Sequence, residues 1–332
     1  MSELKKCDNS RYLFLTAMLR AREAGMLTPQ RVERMLAAPS FAEVCAVAVE
    51  CGYPDMSAMG IREIENTLSA HRREELEDVA RIVPDRELAD LFRLKYDYHS
   101  AKVLIKSEGV HKELLSFEGR VEAAEFLKAY AKNDLVMLPV TLAEAIVDAK
   151  SMLARTGNPC LADLILDRAY FAEMAELAKA SRLPFAENYV KLLIDSTNLK
   201  VLVRAHMAGK RPEIVSELLF EGGGILKESI VAAADNNEEA AQLFAAAGLA
   251  EAAEKGFAIL SGGNMTEFEL SLDNTVNEYL SDAVRLGFGP AVVISYLAAV
   301  ENEIMALRII LTGRLMGISQ ESLRGRLRES YV

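Results

Sequence analysis

Apolar positions recur at helical spacing along most of the chain. In the segment 87–97 they follow the i, i+3, i+4, i+8 rule for a single helix face, at Leu88, Leu91, Phe92 and Tyr96. The segment 185–207 repeats this pattern, and the segment 291–315 is also predicted to be a helix. No run of alternating Val, Ile or Thr is long enough to predict a strand between two turns. The pattern therefore predicts an all-α protein.

Turn-forming residues separate these helical segments. Thr28 is suited to cap a helix whose first residue is Pro29, and Gly157-Asn158-Pro159 interrupts the pattern once more. The glycine pairs and triplets at 222–224 and 262–264 predict loops. Because no low-complexity or linker-like tract is present, we expect the helical units to pack into one compact body.

A motif recurs three times along the chain, over the segments 97–106, 195–204 and 303–312. Each copy has an acid, four further residues, a base and then three aliphatic residues. The acid and base are Asp97 and Lys102 in the first copy, Asp195 and Lys200 in the second, and Glu303 and Arg308 in the third; Asn198 lies inside the second copy. The bases at positions 102, 200 and 308 are thus 98 and 108 residues apart.

Further matches extend the repeat beyond this motif. At the same offset of 108, Gly209, Glu213, Val215 and Leu219 match Gly317, Glu321, Leu323 and Leu327. The segment 114–119 resembles 218–222 if a few residues are inserted, which aligns Phe117 with Phe220, and Leu166-Asp167 resembles Leu272-Asp273. A period near 100 residues is too long for the common short helical repeats. We therefore predict three similar helical units, with approximate bounds 1–114, 115–218 and 219–332, arranged in a row or closed about a pseudo-threefold axis.

The acid and the base of each copy are five residues apart, whereas helix neighbours are three or four residues apart. They therefore do not face each other well on one helix. Since buried charges are usually paired, we expect both to pair with other helices and to fix the packing. We also expect the three bases to occupy equivalent places in the three units.

The charge of the chain narrows the classes of partner. A formal net charge of −11 argues against nucleic acid and against adsorption to an anionic lipid surface. The longest mainly apolar run, 291–300, is interrupted by Glu301 and is shorter than the roughly 20 residues of a bilayer span. No long apolar signal core follows the N-terminus, so we expect neither secretion nor a direct membrane span.

No motif for catalysis or for cofactor binding is present in the sequence. The four cysteines (Cys7, Cys45, Cys51 and Cys160) form no CxxC pair, and the four histidines lie at no metal-ligand spacing from them. A P-loop would need GxxxxGK[ST], and neither this pattern nor GxSxG nor HExxH occurs. We predict no catalytic residue, no cofactor and no metal, and a structural role for the repeated acids, bases and Asn198.

The repeat copies also carry a family resemblance. The strings 94–104 and 301–315, together with the ending Leu323-Arg324-Gly325-Arg326-Leu327, resemble the signatures of the C/d subunits of V-type and A-type rotary ATPases. The family often has Asn where this chain has Ser100 and Ala306; only Asn198 keeps it. The resemblance covers nearly the whole chain.

The resemblance implies a funnel of three similar helical units about a pseudo-threefold axis, with a central cavity. It also implies a non-catalytic central-stalk subunit that couples the rotating axle to the membrane proteolipid ring, in ATP-linked transport of protons or sodium. Such a protein would be cytoplasmic and peripheral to the membrane. Two alternatives stay open: a three-repeat helical scaffold outside an ATPase, and an all-helical enzyme with a carboxylate-based site.

Overall fold

The computed structural model of the chain describes residues 9–107 and 115–329. Within these ranges the regular elements are helices, and no strand occurs. The all-α prediction is confirmed. Cys7 lies outside the described residues, and the predicted unit boundary after residue 114 lies at their edge.

The α-helices are numbered in chain order. In the first third they are α1 (Leu13–Glu23), α2 (Pro29–Ala37), α3 (Phe41–Glu50), α4 (Ile61–Ile82) and α5 (Glu87–Lys106). In the middle they are α6 (Ala123–Lys132), α7 (Val140–Thr156), α8 (Pro159–Ala180), α9 (Pro184–Met207) and α10 (Pro212–Leu218). In the last third they are α11 (Lys227–Ala233), α12 (Asn237–Phe244), α13 (Ala250–Ala258), α14 (Met265–Ser281), α15 (Pro290–Leu315) and α16 (Gln320–Arg324). Short 3₁₀-helices cover Asn9–Tyr12, Ile259–Ser261 and Asp282–Arg285, and a π-helical turn covers Ala245–Leu249.

The predicted helix punctuation is present. The Thr28 side chain accepts a hydrogen bond from the backbone N–H of Arg31, and Pro29 is the first residue of α2. Gly157 ends α7 in the left-handed conformation (φ 64°), and Asn158 caps α8 by accepting from the N–H of Cys160. These caps satisfy the backbone groups that a helix end leaves without an intrahelical partner.

The chain divides into two compact units. One unit, here called the split body, combines residues 1–84 with residues 244–332. The other, here called the continuous body, comprises residues 85–243.

The continuous body is built on the long helices α5, α8 and α9. Helix α8 packs against α5, α7 and α9. The apolar face predicted for 87–97 is buried as expected, at Leu88, Leu91, Phe92 and Tyr96. In α9, Leu202 and Val203 of the three aliphatic residues after Lys200 are fully buried, and Val201 is partly buried.

The split body is built on the long helices α4 and α15, which run antiparallel. Arg308 near the end of α15 contacts Glu65 near the start of α4, whereas Tyr296 near the start of α15 contacts Glu75 further along α4. Every residue of α15 from Pro290 to Val300 is buried. A helix that is apolar on all sides has to be covered on all sides, and here the covering is protein. No helix in the described part of the chain is long and apolar enough to span a membrane.

Candidate functional site

The three acids of the repeat lie on three long helices and are almost completely buried. Asp97 on α5, Asp195 on α9 and Glu303 on α15 are 1%, 2% and 8% exposed. A buried carboxylate has to be hydrogen-bonded to be tolerated. The partners of these three side chains therefore define what the repeat does, and we call them the anchoring carboxylates.

Asp195 holds the loop that follows α10. Its Oδ2 accepts a hydrogen bond from the N–H of Gly224 at 2.9 Å, and its Oδ1 accepts one from the N–H of Ile225 at 3.2 Å. Gly223 lies so close that a Cβ there would be 2.2 Å from Asp195 Oδ1. The loop 219–225 is thereby fixed to the side of α9.

Asn198, one turn further along α9, holds the same loop a second time. Its Oδ1 accepts from the N–H of Phe220 at 2.8 Å, and its Nδ2 donates to the carbonyl of Phe220 at 2.9 Å. Both contacts are buried, and the Asn198 side chain is fully enclosed. Asn suits this position because its amide offers a donor and an acceptor side by side.

Asp97 holds the corresponding loop, residues 115–121, on α5. Its Oδ1 accepts from the N–H of Val121 at 3.2 Å, and its Oδ2 accepts from Arg120 Nε at 2.7 Å. Ser100 occupies the position that corresponds to Asn198 and makes one hydrogen bond instead of two: its Oγ accepts from the N–H of Ser116 at 3.2 Å. A Cβ on Gly119 would be 2.2 Å from Asp97 Oδ1.

These contacts set the true register between the two loops. Ser116 corresponds to Phe220, Gly119 to Gly223 and Val121 to Ile225, at a constant offset of 104. The sequence comparison aligned Phe117 with Phe220, which is wrong by one residue. The sequence comparison matched side-chain types. The correspondence of the two loops instead depends on which backbone N–H donates to the anchoring carboxylate and on which position has a glycine next to that carboxylate.

Glu303 holds a loop from the opposite end of the chain. Its Oε2 accepts from the N–H of Leu27 at 2.6 Å, and its Oε1 accepts from the Tyr53 hydroxyl at 2.7 Å. Leu27 belongs to the connection between α1 and α2. Ala306 stands where the second copy has Asn198, so this side chain supplies no second tie. The last copy of the repeat therefore anchors the loop that precedes α2.

The repeated bases Lys102 and Arg308 each pair with an acid on a neighbouring helix. Lys102 Nζ lies 2.5 Å from Asp167 Oδ1 on α8, and Arg308 Nε lies 2.7 Å from Glu65 Oε2 on α4. The third base, Lys200, is partly buried on α9. Lys102 and Arg308 therefore pair with another helix, as expected.

The acids do not follow the same expectation. Asp195 and Glu303 bind backbone N–H groups and a tyrosine hydroxyl, so the prediction that they pair with other helices is wrong for both. A loop backbone has N–H groups that no helix or strand satisfies, and a carboxylate is a strong acceptor for them.

The structure also adds a third member to a match that the sequence showed only twice. Ile64-Glu65 on α4 takes the place of Leu166-Asp167 on α8, with the aliphatic residue fully buried and the acid paired to the base of a repeat copy. Leu272-Asp273 on α14 has the same buried aliphatic residue, and Asp273 pairs with Arg328 at 2.7 Å. The change to Ile and Glu hid the first pair, because its residue types differ from those of the other two pairs.

The electrostatics of the three carboxylates follow from their burial. Burial raises the pKa of Asp97, against the opposing effect of the Arg120 guanidinium. Burial likewise raises the pKa of Asp195, opposed by the N–H groups of Ile225 and Gly224. Burial raises the pKa of Glu303, opposed by the Leu27 N–H and the Tyr53 hydroxyl. Both oxygens of each carboxylate accept a hydrogen bond from the protein itself, so the arrangement suits the fixing of loops.

No group of three or more His, Cys, Asp or Glu in the described ranges is placed to hold a metal ion. Cys45 is buried, Cys51 is partly buried and Cys160 is exposed, and all three are free thiols.

An all-helical chain with three copies of one helix-and-loop anchor belongs to the class of helical proteins built by internal repetition. The family comparison makes this specific: the model described as "ATP synthase (C/AC39) subunit" matches residues 15–326. The chain belongs to this family, the C subunits of V/A-type ATPases.

Individual relatives span most of the chain at low identity. The C subunit of the V-type sodium ATPase of Enterococcus hirae is 21% identical, over 96% of this chain and 99% of the relative. The C subunit of the A-type ATP synthase of Thermococcus onnurineus is 24% identical, over 90% of this chain and 85% of the relative. The C subunit of the V-type ATP synthase of Thermus thermophilus is 22% identical, over 61% of this chain and 65% of the relative.

Proposed function

We propose that this chain is the non-catalytic central-stalk subunit that couples the rotating axle of a V/A-type ATPase to the membrane proteolipid ring. It would turn with the rotor and transmit torque between ATP chemistry and transport of protons or sodium. Its place would be on the cytoplasmic side, peripheral to the membrane through the complex. Family membership over residues 15–326 supports this role.

The observation that carries the proposal is the cyclic order of the anchored loops. Helix α5 anchors the loop that starts at Leu115, α9 anchors the loop that starts at Leu219, and α15 anchors the loop at Leu27. The first two loops begin where the proposed second and third units, 115–218 and 219–332, begin. A chain whose last copy anchors its first loop is suited to a closed trio of units around a central cavity.

A closed and rigid trio fits a coupler better than an open row does. A protein that transmits torque must resist shear between its units, and buried hydrogen bonds between a helix and a loop of the following unit oppose such movement. The oxygens of the anchoring carboxylates accept hydrogen bonds from loop N–H groups, an arginine and a tyrosine of the chain itself, which supports a mechanical role.

The test is a tagged pull-down of the full chain from membranes solubilised in mild detergent, with partners identified by mass spectrometry. We expect axle, head and proteolipid subunits to be recovered, and the untagged chain to recover none of them. Recovery of other proteins only, from cells that contain the ATPase, would overturn the proposal in favour of a helical scaffold outside the complex.

A further inference from the structure

Among the described residues of the continuous body, the most exposed apolar surface lies on the connection between α6 and α7 and on the outer face of α7. Val136, Met137, Val140 and Val147 are 87%, 78%, 73% and 55% exposed. Side chains this apolar are normally the ones a fold encloses. We call these four residues the α7 patch.

Helix α7 is apolar on two opposite sides. Its inner side buries Leu142, Ile146 and Ala149, which are fully enclosed. Val140 and Val147 are seven residues apart, so they lie on the same side of the helix, and this side faces away from that core. A helix at a protein surface ordinarily turns polar residues outward. The core of the continuous body therefore does not account for the outer side of α7.

The patch lies on a corner that the fold holds in place. Asn133 ends α6 in the left-handed conformation (φ 51°), and its Oδ1 accepts from Lys150 Nζ on α7 at 3.1 Å. The same ammonium group lies 4.8 Å from the centre of the Tyr130 ring. Leu138, between Met137 and Val140, is buried and closes a turn through its N–H to the Leu135 carbonyl. The exposed side chains are thus presented on a fixed backbone.

Acidic side chains border the patch. Asp134, Glu144 and Asp148 are all exposed, and Glu144 lies on the same side of α7 as the two valines. Lys132 is the single exposed base between residues 131 and 149. The next base, Lys150, is directed at Asn133 and Tyr130. An apolar strip with an acidic border is complementary to a helix that has an apolar strip with Lys or Arg beside it.

We propose that the α7 patch docks a basic amphipathic helix of another subunit of the ATPase, with Val140 and Val147 in the apolar contact and Glu144 and Asp148 facing its Lys or Arg side chains. This inference rests on the proposed function, because it takes the partner from the same complex. An exposed apolar surface with one sign of charge around it marks an interaction site for a protein of the opposite charge.

The test uses ATPase purified from cells that lack this chain. It measures how tightly the full chain, added back, binds to that depleted ATPase. Two variants address the two parts of the surface: V140S/V147S removes the apolar contact, and E144K/D148K reverses the charge. The matched control is V49S/I61S, which removes two exposed aliphatic side chains (46% and 45% exposed) on α3 and α4. All positions are exposed, and circular dichroism verifies that each variant keeps its helical content.

We expect V140S/V147S to weaken binding about tenfold or more, because the two serines bury less apolar surface against the partner than the two valines do. We expect E144K/D148K to weaken binding more at low salt than at high salt, because the charge contribution is screened. The V49S/I61S control is expected to bind as the wild type does. A photo-reactive residue placed at position 147 should label a helix with apolar positions at i, i+3 or i+4, and i+7 and with Lys or Arg beside them.

Other outcomes would overturn the inference in identifiable ways. Equal binding by wild type and V140S/V147S, or labelling of a second copy of this chain or of an uncharged membrane helix, would refute the α7 patch alone. Failure of the wild type to bind the depleted ATPase at all would instead refute the proposed function, and the docking inference with it.

Discussion

At the scale of single residues, the anchors depend on glycines beside the carboxylates. Gly119 and Gly223 allow the loop backbone to pass Asp97 and Asp195, at positions where a Cβ would overlap a carboxylate oxygen. The requirement is one of space, since neither glycine has a positive φ. A residue with no side chain is needed wherever two backbone segments approach through a buried carboxylate.

Gly223→Ala is therefore expected to destabilise the chain by about 2 kcal/mol, the usual cost of forcing an extra methyl group into a packed site. The measurement is the free energy of unfolding in urea. Gly287→Ala is the control, because nothing lies within 4 Å of a Cβ placed there. A Gly223→Ala chain as stable as the control would show that the loop is not held against Asp195.

The titration of Glu303 gives a prediction with a definite sign. Its pKa is raised by burial in the folded chain, whereas an unfolded glutamate titrates near a pKa of about 4.3. Between these two values the folded state binds more protons, so the free energy of unfolding falls as pH increases through this window. The E303Q variant lacks this titration.

We therefore expect the stability of the wild type relative to E303Q to decrease as pH increases above about 4.3, while the folded carboxyl keeps its proton, and to level off once that carboxyl is ionised. Urea unfolding of both chains, from about pH 4.5 to about pH 8, measures the difference. A difference that increases with pH would mean that the Leu27 N–H and the Tyr53 hydroxyl outweigh burial and lower the pKa.

At the scale of elements, each anchor joins a long helix to a loop, and the three anchors differ in strength. The second copy ties its loop through Asp195 and Asn198, the first through Asp97 and Ser100, and the third through Glu303 without a polar residue at Ala306. Tyr53 adds to the third anchor from the segment between α3 and α4. At this position of the repeat, the Asn198 amide makes two hydrogen bonds, the Ser100 hydroxyl makes one, and the Ala306 methyl group makes none.

The loss of stability on removing each of these side chains should follow the same order. Asn198→Ala leaves the buried N–H and carbonyl of Phe220 without partners, and we expect a loss of about 3 kcal/mol. Ser100→Ala frees only the Ser116 N–H, which is less enclosed, and should cost about 1 kcal/mol. Hydrogen exchange of the two amides, measured in each variant, locates the effect. Equal costs for the two substitutions would contradict the ranking.

Across the molecule as a whole, the two bodies differ in how the chain builds them. The continuous body uses one stretch, 85–243, whereas the split body needs both ends of the chain. Within the split body, Glu303 takes its partners from Leu27 and Tyr53, and Arg308 takes its partner from Glu65. The C-terminal stretch alone cannot satisfy these groups.

We expect a fragment of residues 85–243 to be helical and to unfold cooperatively. A fragment of residues 244–332 should lack a cooperative transition until a second fragment, residues 1–84, is added. Circular dichroism during thermal unfolding of each fragment and of the mixture measures this. Cooperative unfolding of residues 244–332 alone would show that the contacts with the N-terminal stretch are not needed for folding.

The helices, the repeated motif and the family could all be predicted from the order of the residues. Helix formation depends on residues three or four positions apart, so the pattern at 87–97, the cap at Thr28 and the break at Gly157-Asn158-Pro159 are visible without a fold. The repeat is visible for a similar reason, because copies of one motif preserve residue types at fixed spacing.

Which groups meet is set by the packing of distant segments and could not be predicted in this way. The Leu27 N–H and the Glu303 carboxylate are 276 residues apart, and nothing local in either segment indicates the other. The correspondence of Ser116 with Phe220 is set by backbone hydrogen bonds, which carry no side-chain signature. The exposure of Val140 and Val147 is likewise invisible in a sequence, since an apolar residue on a helix predicts a buried face until the neighbours of that face are known.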